Sequence, residues 1–116
     1  VSPSPSQRAG TAIEDEAYRY LETRGLRLLT RNYRTRQGEI DLVMSDGEQV
    51  VFVEVRQRRN PRYGGAAVSV DSAKQARLRA AALHYLQHHA PQAAARFDVI
   101  AFSDRSEPEW VRDAFA

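Results

Sequence analysis

Cysteine is absent from these 116 residues, so the chain has neither a disulfide framework nor a thiolate metal site. Lysine is nearly absent too: Lys74 stands alone against sixteen arginines. A skew of that kind reflects composition pressure, so the arginine count by itself says nothing about nucleic acid, and the net charge is only +2. No window approaches the roughly 18 consecutive apolar residues of a membrane span, which predicts no membrane partner. Val1 to Gly10 is rich in Ser and Pro and lacks the apolar stretch of a secretory signal. Residues 1–9 read as a disordered leader and 10–116 as a single domain, with a cytoplasmic location as the default. Apolar residues make up 42% of the chain, enough for one hydrophobic core at this length.

What the chain does contain is a regular alternation of elements. Ile13, Ala17, Tyr20 and Leu21 recur at helical spacing and predict a helix from about Thr11 to Arg24, stopped by Gly25. Leu26 to Arg34 reads as a strand with Leu28 and Tyr33 inward, and Gln37-Gly38 as a turn. Ile40 to Met44 is a second strand. Asp46-Gly47 signals a hairpin into a third strand, Gln49 to Arg56. The valine face of that strand, Val51, Val53 and Val55, calls for a covering helix. Asp71 and Ser72 are good N-cap residues for a long helix to His88 or His89, with Leu78, Ala82, Leu83 and Leu86 as its apolar face. Arg96 to Phe102 follows a helix and is expected parallel to the third strand, with Glu109 to Arg112 as a short edge strand.

The chemistry concentrates in two strands. Gly38-Glu39-Ile40-Asp41-Leu42-Val43 is followed at close range by Val53-Glu54-Val55-Arg56. By strict alternation Glu39, Asp41, Glu54 and Arg56 share one sheet face. Three carboxylates so placed repel one another unless a positive group sits among them, and a hard divalent cation on oxygen ligands meets that need. The plainer alternative is that Asp41 and Glu54 pair with Arg56 across the sheet. Arg58, Arg59 and Arg62 follow as a basic loop suited to phosphates, or simply to solvent. His84 and His88 stand one helical turn apart, but no third zinc ligand is evident. Tyr63, Trp110 and Phe102 suit base stacking, although Trp110 and Phe102 fit a core better.

The order helix, three-stranded antiparallel meander, helix, strand and short edge strand, with helices packed on a mixed α/β sheet, resembles the restriction-endonuclease-like fold. The closer resemblance is to the YraN-like bacterial family of that superfamily, akin to archaeal Holliday-junction resolvases. It is carried by Gly10-x-x-x-Glu14, Tyr20-Leu21-x-x-x-Gly25, Asn32-Tyr33-Arg34, the Gly38 to Val43 and Val51 to Arg56 stretches, Tyr63-Gly64-Gly65-Ala66-Ala67, Lys74-Gln75 and Arg96 to Phe102.

The resemblance implies a metal-dependent endonuclease acting on branched or single-stranded DNA, and a homodimer. Asp41 and Glu54, with the Val55 carbonyl, would hold Mg²⁺ or Mn²⁺, which would acidify a water and neutralise charge on the scissile phosphate. Glu14 would reach the same pocket from the first helix, and Glu39 would serve beside Asp41. Arg56 occupies the place usually held by Lys; it stabilises phosphate charge but never gives up its proton. Lys74, near the start of the second helix, is the residue placed to compensate. The alternative implied by Arg56 is a catalytically silent module that binds nucleic acid or protein on the same face.

Overall fold

The computed structural model describes residues 5–57, 70–103 and 107–116, with side chains from residue 12 onward. The elements run α1 (Pro5–Glu22), β1 (Arg27–Arg34), β2 (Glu39–Asp46), β3 (Gln49–Gln57), α2 (Ser72–His89), β4 (Ala95–Phe102) and β5 (Glu109–Phe115). The five strands form one sheet in sequence order. β1, β2 and β3 are an antiparallel meander, β4 lies parallel to β3, and β5 closes the far edge antiparallel to β4.

α1 begins at Pro5 rather than Thr11. Proline suits the first turn of a helix, where no intrahelical N–H bond exists to be lost, so the helix takes in part of the segment read as a leader. Residues 1–4 of that segment lie outside the described residues. At the other end Gly25, at φ +97°, turns the chain so that the Leu26 N–H donates to the Leu21 carbonyl at 3.1 Å. α2 starts where expected: the Asp71 carboxylate accepts from the Lys74 N–H at 2.8 Å.

Each face of the sheet carries its own core. Ala17 and Leu21 of α1 pack with Leu42, Met44, Val51, Val53 and Ile100, covering the valine face of β3. On the other face Leu78, Ala81, Ala82 and Tyr85 of α2 pack against Ile40, Val43, Phe52 and Val99. Leu83 does not join them and is 57% exposed. It lies five residues beyond Leu78, about 140° around the helix, which points it away from the sheet. The inward residue in its place is Tyr85. Tyr33 packs on the α2 face and Leu28 on the α1 face, the sides their odd separation gives, because the bulge between Leu28 and Thr30 is offset by a second break in alternation around Asn32.

Candidate functional site

Alternation along β2 breaks at Asp41. Ile40 belongs to the α2-side core and Leu42, two residues on, to the α1-side core. On β1 the register Arg31↔Leu42 and Tyr33↔Ile40 brackets Asn32, which sits at φ +53°, a conformation Asn tolerates better than most residues. The β2–β3 pairs run from Leu42↔Val53 to Asp46↔Gln49, and at the end of that ladder the Asp41 Oδ2 accepts the Val55 N–H at 2.9 Å. Asp41 therefore reaches across to the β3 backbone. The expectation that Glu39, Asp41, Glu54 and Arg56 project from one face by strict alternation is corrected accordingly: Glu54 and Arg56 share the α2 face with Phe52, while Asp41 is turned at the twist and approaches Glu54 from the ladder's end.

Glu54 is the unusual group. It is 4% exposed. Its Oε2 lies 3.4 Å from the Arg56 guanidinium and 3.4 Å from the Lys74 Nζ, so a strand cation and a helix cation converge on one oxygen. Its other oxygen, Oε1, is buried and has no donor among the described residues. Burial, then the charge of Asp41 and a hydrogen-bonded contact with it, push the Glu54 carboxyl up to about 7, against the pull of Lys74 and Arg56.

Glu14 approaches from α1. It accepts from Asn32 Nδ2 at 3.1 Å and lies 3.6 Å from Arg31, whose guanidinium also bonds Asp15 at 2.6 Å. Burial first, and then Asp41, hold its carboxyl above the ordinary range; Arg31 opposes them and Glu39 adds slightly. Both Glu14 and Glu54 thus feel Asp41, which makes Asp41 the centre of the group. Glu39 stands at the rim, 3.4 Å from the exposed Arg34, a contact largely screened by solvent.

Glu14, Asp41, Glu54, Arg56 and Lys74 are therefore brought together, with Glu39 at the margin. The Val55 N–H is engaged by Asp41. Arg58, Arg59, Arg62 and the Tyr63-Gly64-Gly65 stretch lie outside the described residues. His84 and His88 are far along α2 from Lys74 and belong to a ring cluster with Tyr33, whose hydroxyl meets His84 Nδ1.

Two residues escaped sequence reasoning. Asn32, through Glu14, links β1 to the group; the Asn32-Tyr33-Arg34 stretch entered the resemblance without giving it a role. Asp98 is wholly buried and is bonded by Arg96 at 3.0 and 3.2 Å, by Trp110 Nε1 at 2.9 Å and by the Asp113 N–H at 3.0 Å. Arg96 also bonds Asp46 and Gln49 at 2.9 Å each, tying the β2–β3 hairpin to β4. With every oxygen of Asp98 satisfied, this network is a brace.

Two hard carboxylate donors face one another, and one carries a buried oxygen without a donor, which suits Mg²⁺ or Mn²⁺. Among the described residues no group of three or more His, Cys, Asp or Glu side chains is arranged to hold a metal. Any remaining ligands would come from backbone, solvent or substrate, as is usual for Mg²⁺. Among the described residues no helix is long and apolar enough to cross a membrane.

Comparison with known proteins places the same residues in a wider set. Residues 13–102 match the uncharacterised protein family UPF0102. A UPF0102 protein of Halorhodospira halophila is 55% identical over 111 residues, covering 96% of this chain and 88% of that one. Another, from Janthinobacterium sp. (strain Marseille), is 53% identical over 108 residues, covering 93% and 87%. A third, from Alkalilimnicola ehrlichii, is 50% identical over 116 residues, covering 98% and 91%.

Proposed function

The chain belongs to the UPF0102 family, also called YraN, and from that premise and the geometry of Glu54 we propose a restriction-endonuclease-like protein that binds DNA and hydrolyses phosphodiesters with Mg²⁺ or Mn²⁺. The observation that carries the reading is the divided environment of Glu54: two cations on Oε2, none on the buried Oε1, and Asp41 beside it. A purely structural ion pair closes its hydrogen bonds, as Asp98 does. Glu54 is left with an open oxygen facing a second carboxylate.

Asp41 and Glu54 would hold the cation, with Glu14 behind Asp41. When bound, such a cation supplies acidity to a water and neutralises charge on a phosphoryl group. Arg56 and Lys74 fix the Glu54 carboxylate and add positive charge where a phosphate would lie. Their shapes differ: the Arg56 guanidinium is a planar fork, whereas the Lys74 ammonium is a compact point charge with three donors, so Lys74 supplies the ammonium that the usual Lys would bring. A preference for branched or single-stranded DNA, and a homodimer, rest on the resemblance to junction resolvases.

The second reading, a binding module without catalysis, is favoured by the make-up of the site: among the described residues no three carboxylates are arranged to hold a metal, and Arg stands in the usual place of Lys. The test is cleavage of labelled branched, single-stranded and duplex DNA in Mn²⁺ and Mg²⁺, beside Asp41→Asn protein purified identically. Metal-dependent cutting that disappears in the variant supports the enzyme. Binding without cutting, or equal residual cutting by both proteins, overturns it in favour of the module.

A further inference from the structure

Charge around the Glu54 pocket is distributed unevenly. On the α1 side Glu14 and Asp15 face the rim, and the nearby Arg31 is engaged by both. On the α2 side cations predominate, with Asp71 spent on the helix cap and Glu39 paired with Arg34. Lys74 reaches Glu54, Arg77 stands one turn further along α2 and is exposed, and the exposed Arg36 sits in the β1–β2 turn. Among the described residues neither Arg36 nor Arg77 has a recorded hydrogen-bond or ion-pair partner.

The turn is closed by its own hydrogen bonds and packs directly against the helix. Thr35 Oγ1 accepts from the Gln37 and Gly38 N–H groups at 3.2 and 3.1 Å and donates to the Gly38 carbonyl at 3.0 Å, and the Thr35 N–H donates to that same carbonyl at 2.8 Å. Gly38 lies directly against α2: a Cβ there would sit 2.6 Å from the Arg77 carbonyl oxygen. Arg36 and Arg77 are thus carried on two elements locked together beside the pocket. Two unpaired guanidiniums on elements packed together, leading away from the Glu54 site, form a track for a repeating anion.

We propose that the ridge made by the β1–β2 turn and the first half of α2, through Arg36 and Arg77, binds the phosphate backbone of a nucleic-acid strand leaving the pocket on the α2 side. This rests on the reading of the pocket as a phosphodiester site. It assigns the direction of the strand: over α2, away from the acidic α1 rim. No base contact is implied, so the binding is independent of sequence.

The experiment measures affinity for a labelled duplex and a labelled single strand as a function of salt, in Mg²⁺, with the full chain. Arg36→Gln/Arg77→Gln is compared with Arg19→Gln/Arg27→Gln, a pair with the same charge change on the outer face of α1 and the opposite end of β1. Thermal unfolding of both variants checks folding; exposed residues of this kind change stability little. The ridge variant is expected to lose about 10-fold or more in affinity, and its log K against log salt slope to shrink by about 1.8 on duplex and about 1.4 on single strand, two contacts' worth. The control pair is expected to change little. Equal losses in both variants, or none in either, overturn the ridge while leaving the pocket reading intact if the native protein binds and cuts. Failure of the native protein to bind nucleic acid at all overturns the pocket reading and the ridge with it. Selective loss in the ridge variant of a protein that never cuts supports the ridge and removes only hydrolysis.

Discussion

Replacing Glu54 with glutamine isolates the proton that the pocket stores. Glu54 is buried, and its carboxyl is held near 7 rather than at its ordinary 4.5. In that interval the folded protein keeps a proton that the unfolded chain has released. The folded state binds more protons there, so stability falls as pH rises from about 4.5 through about 7 and levels off above. At 1.36 kcal/mol per pH unit across that interval, the loss is on the order of 3 kcal/mol. Glutamine keeps the shape, can donate toward Asp41 and carries no charge to desolvate. Urea unfolding from pH 5 to pH 9 gives the difference between the native protein and Glu54→Gln, in which titrations common to both cancel. The variant is expected to gain on the native protein as pH rises, by up to about 3 kcal/mol at pH 8, less whatever is lost with the Arg56 and Lys74 contacts. Parallel curves, or a native protein that gains stability over this range relative to the variant, would refute the reasoning.

Other perturbations separate structure from site. Gly38→Ala forces a methyl against the Arg77 carbonyl, a backbone atom with little room to move, and is expected to lower unfolding stability by about 1–3 kcal/mol in the same urea assay. Arg96→Met leaves the wholly buried Asp98 without its cation and is expected to cost about 3–5 kcal/mol, with altered Trp110 fluorescence because the indole N–H shares that carboxylate. Lys74→Met removes the ammonium but keeps the stem. It is expected to abolish cutting at saturating Mn²⁺ while unfolding stability changes by about 1 kcal/mol or less, as measured on one preparation.

Much of the fold was legible because local signals agreed with the tertiary arrangement. The Asp71 cap, the Asp46-Gly47 hairpin and the stop at Gly25 each have a local physical cause, and β4 follows a helix as parallel strands usually do. Asp41 and Glu54 stood out as carboxylates in apolar strands. What the residues could not reveal depends on three-dimensional placement. The twist at Asn32 and Asp41 breaks the period-two rule that put four charged groups on one face. Lys74 reaches Glu54 only because α2 returns over that face of β3, and nothing in its spacing from Glu54 encodes the distance. Asp98 read as one residue of an apolar strand because two of its partners, Trp110 and Asp113, come from the edge strand β5. Hydrophobicity alone points Leu83 inward, whereas the helix phase set by Leu78, Ala81 and Tyr85 excludes it.

Whether the gap between Asp41 and Glu54 holds a divalent cation is measured most directly by calorimetric titration of Mn²⁺ into the native protein and into Asp41→Asn, at pH 6 and pH 8. The native protein is expected to bind one cation, more tightly at pH 8, where Glu54 has lost its proton, and to release about one proton per cation at pH 6. Asp41→Asn is expected to bind at least 10-fold more weakly. Equal binding by the two proteins, or none by the native protein at either pH, would contradict the assignment of Asp41 and Glu54 as the metal-holding pair.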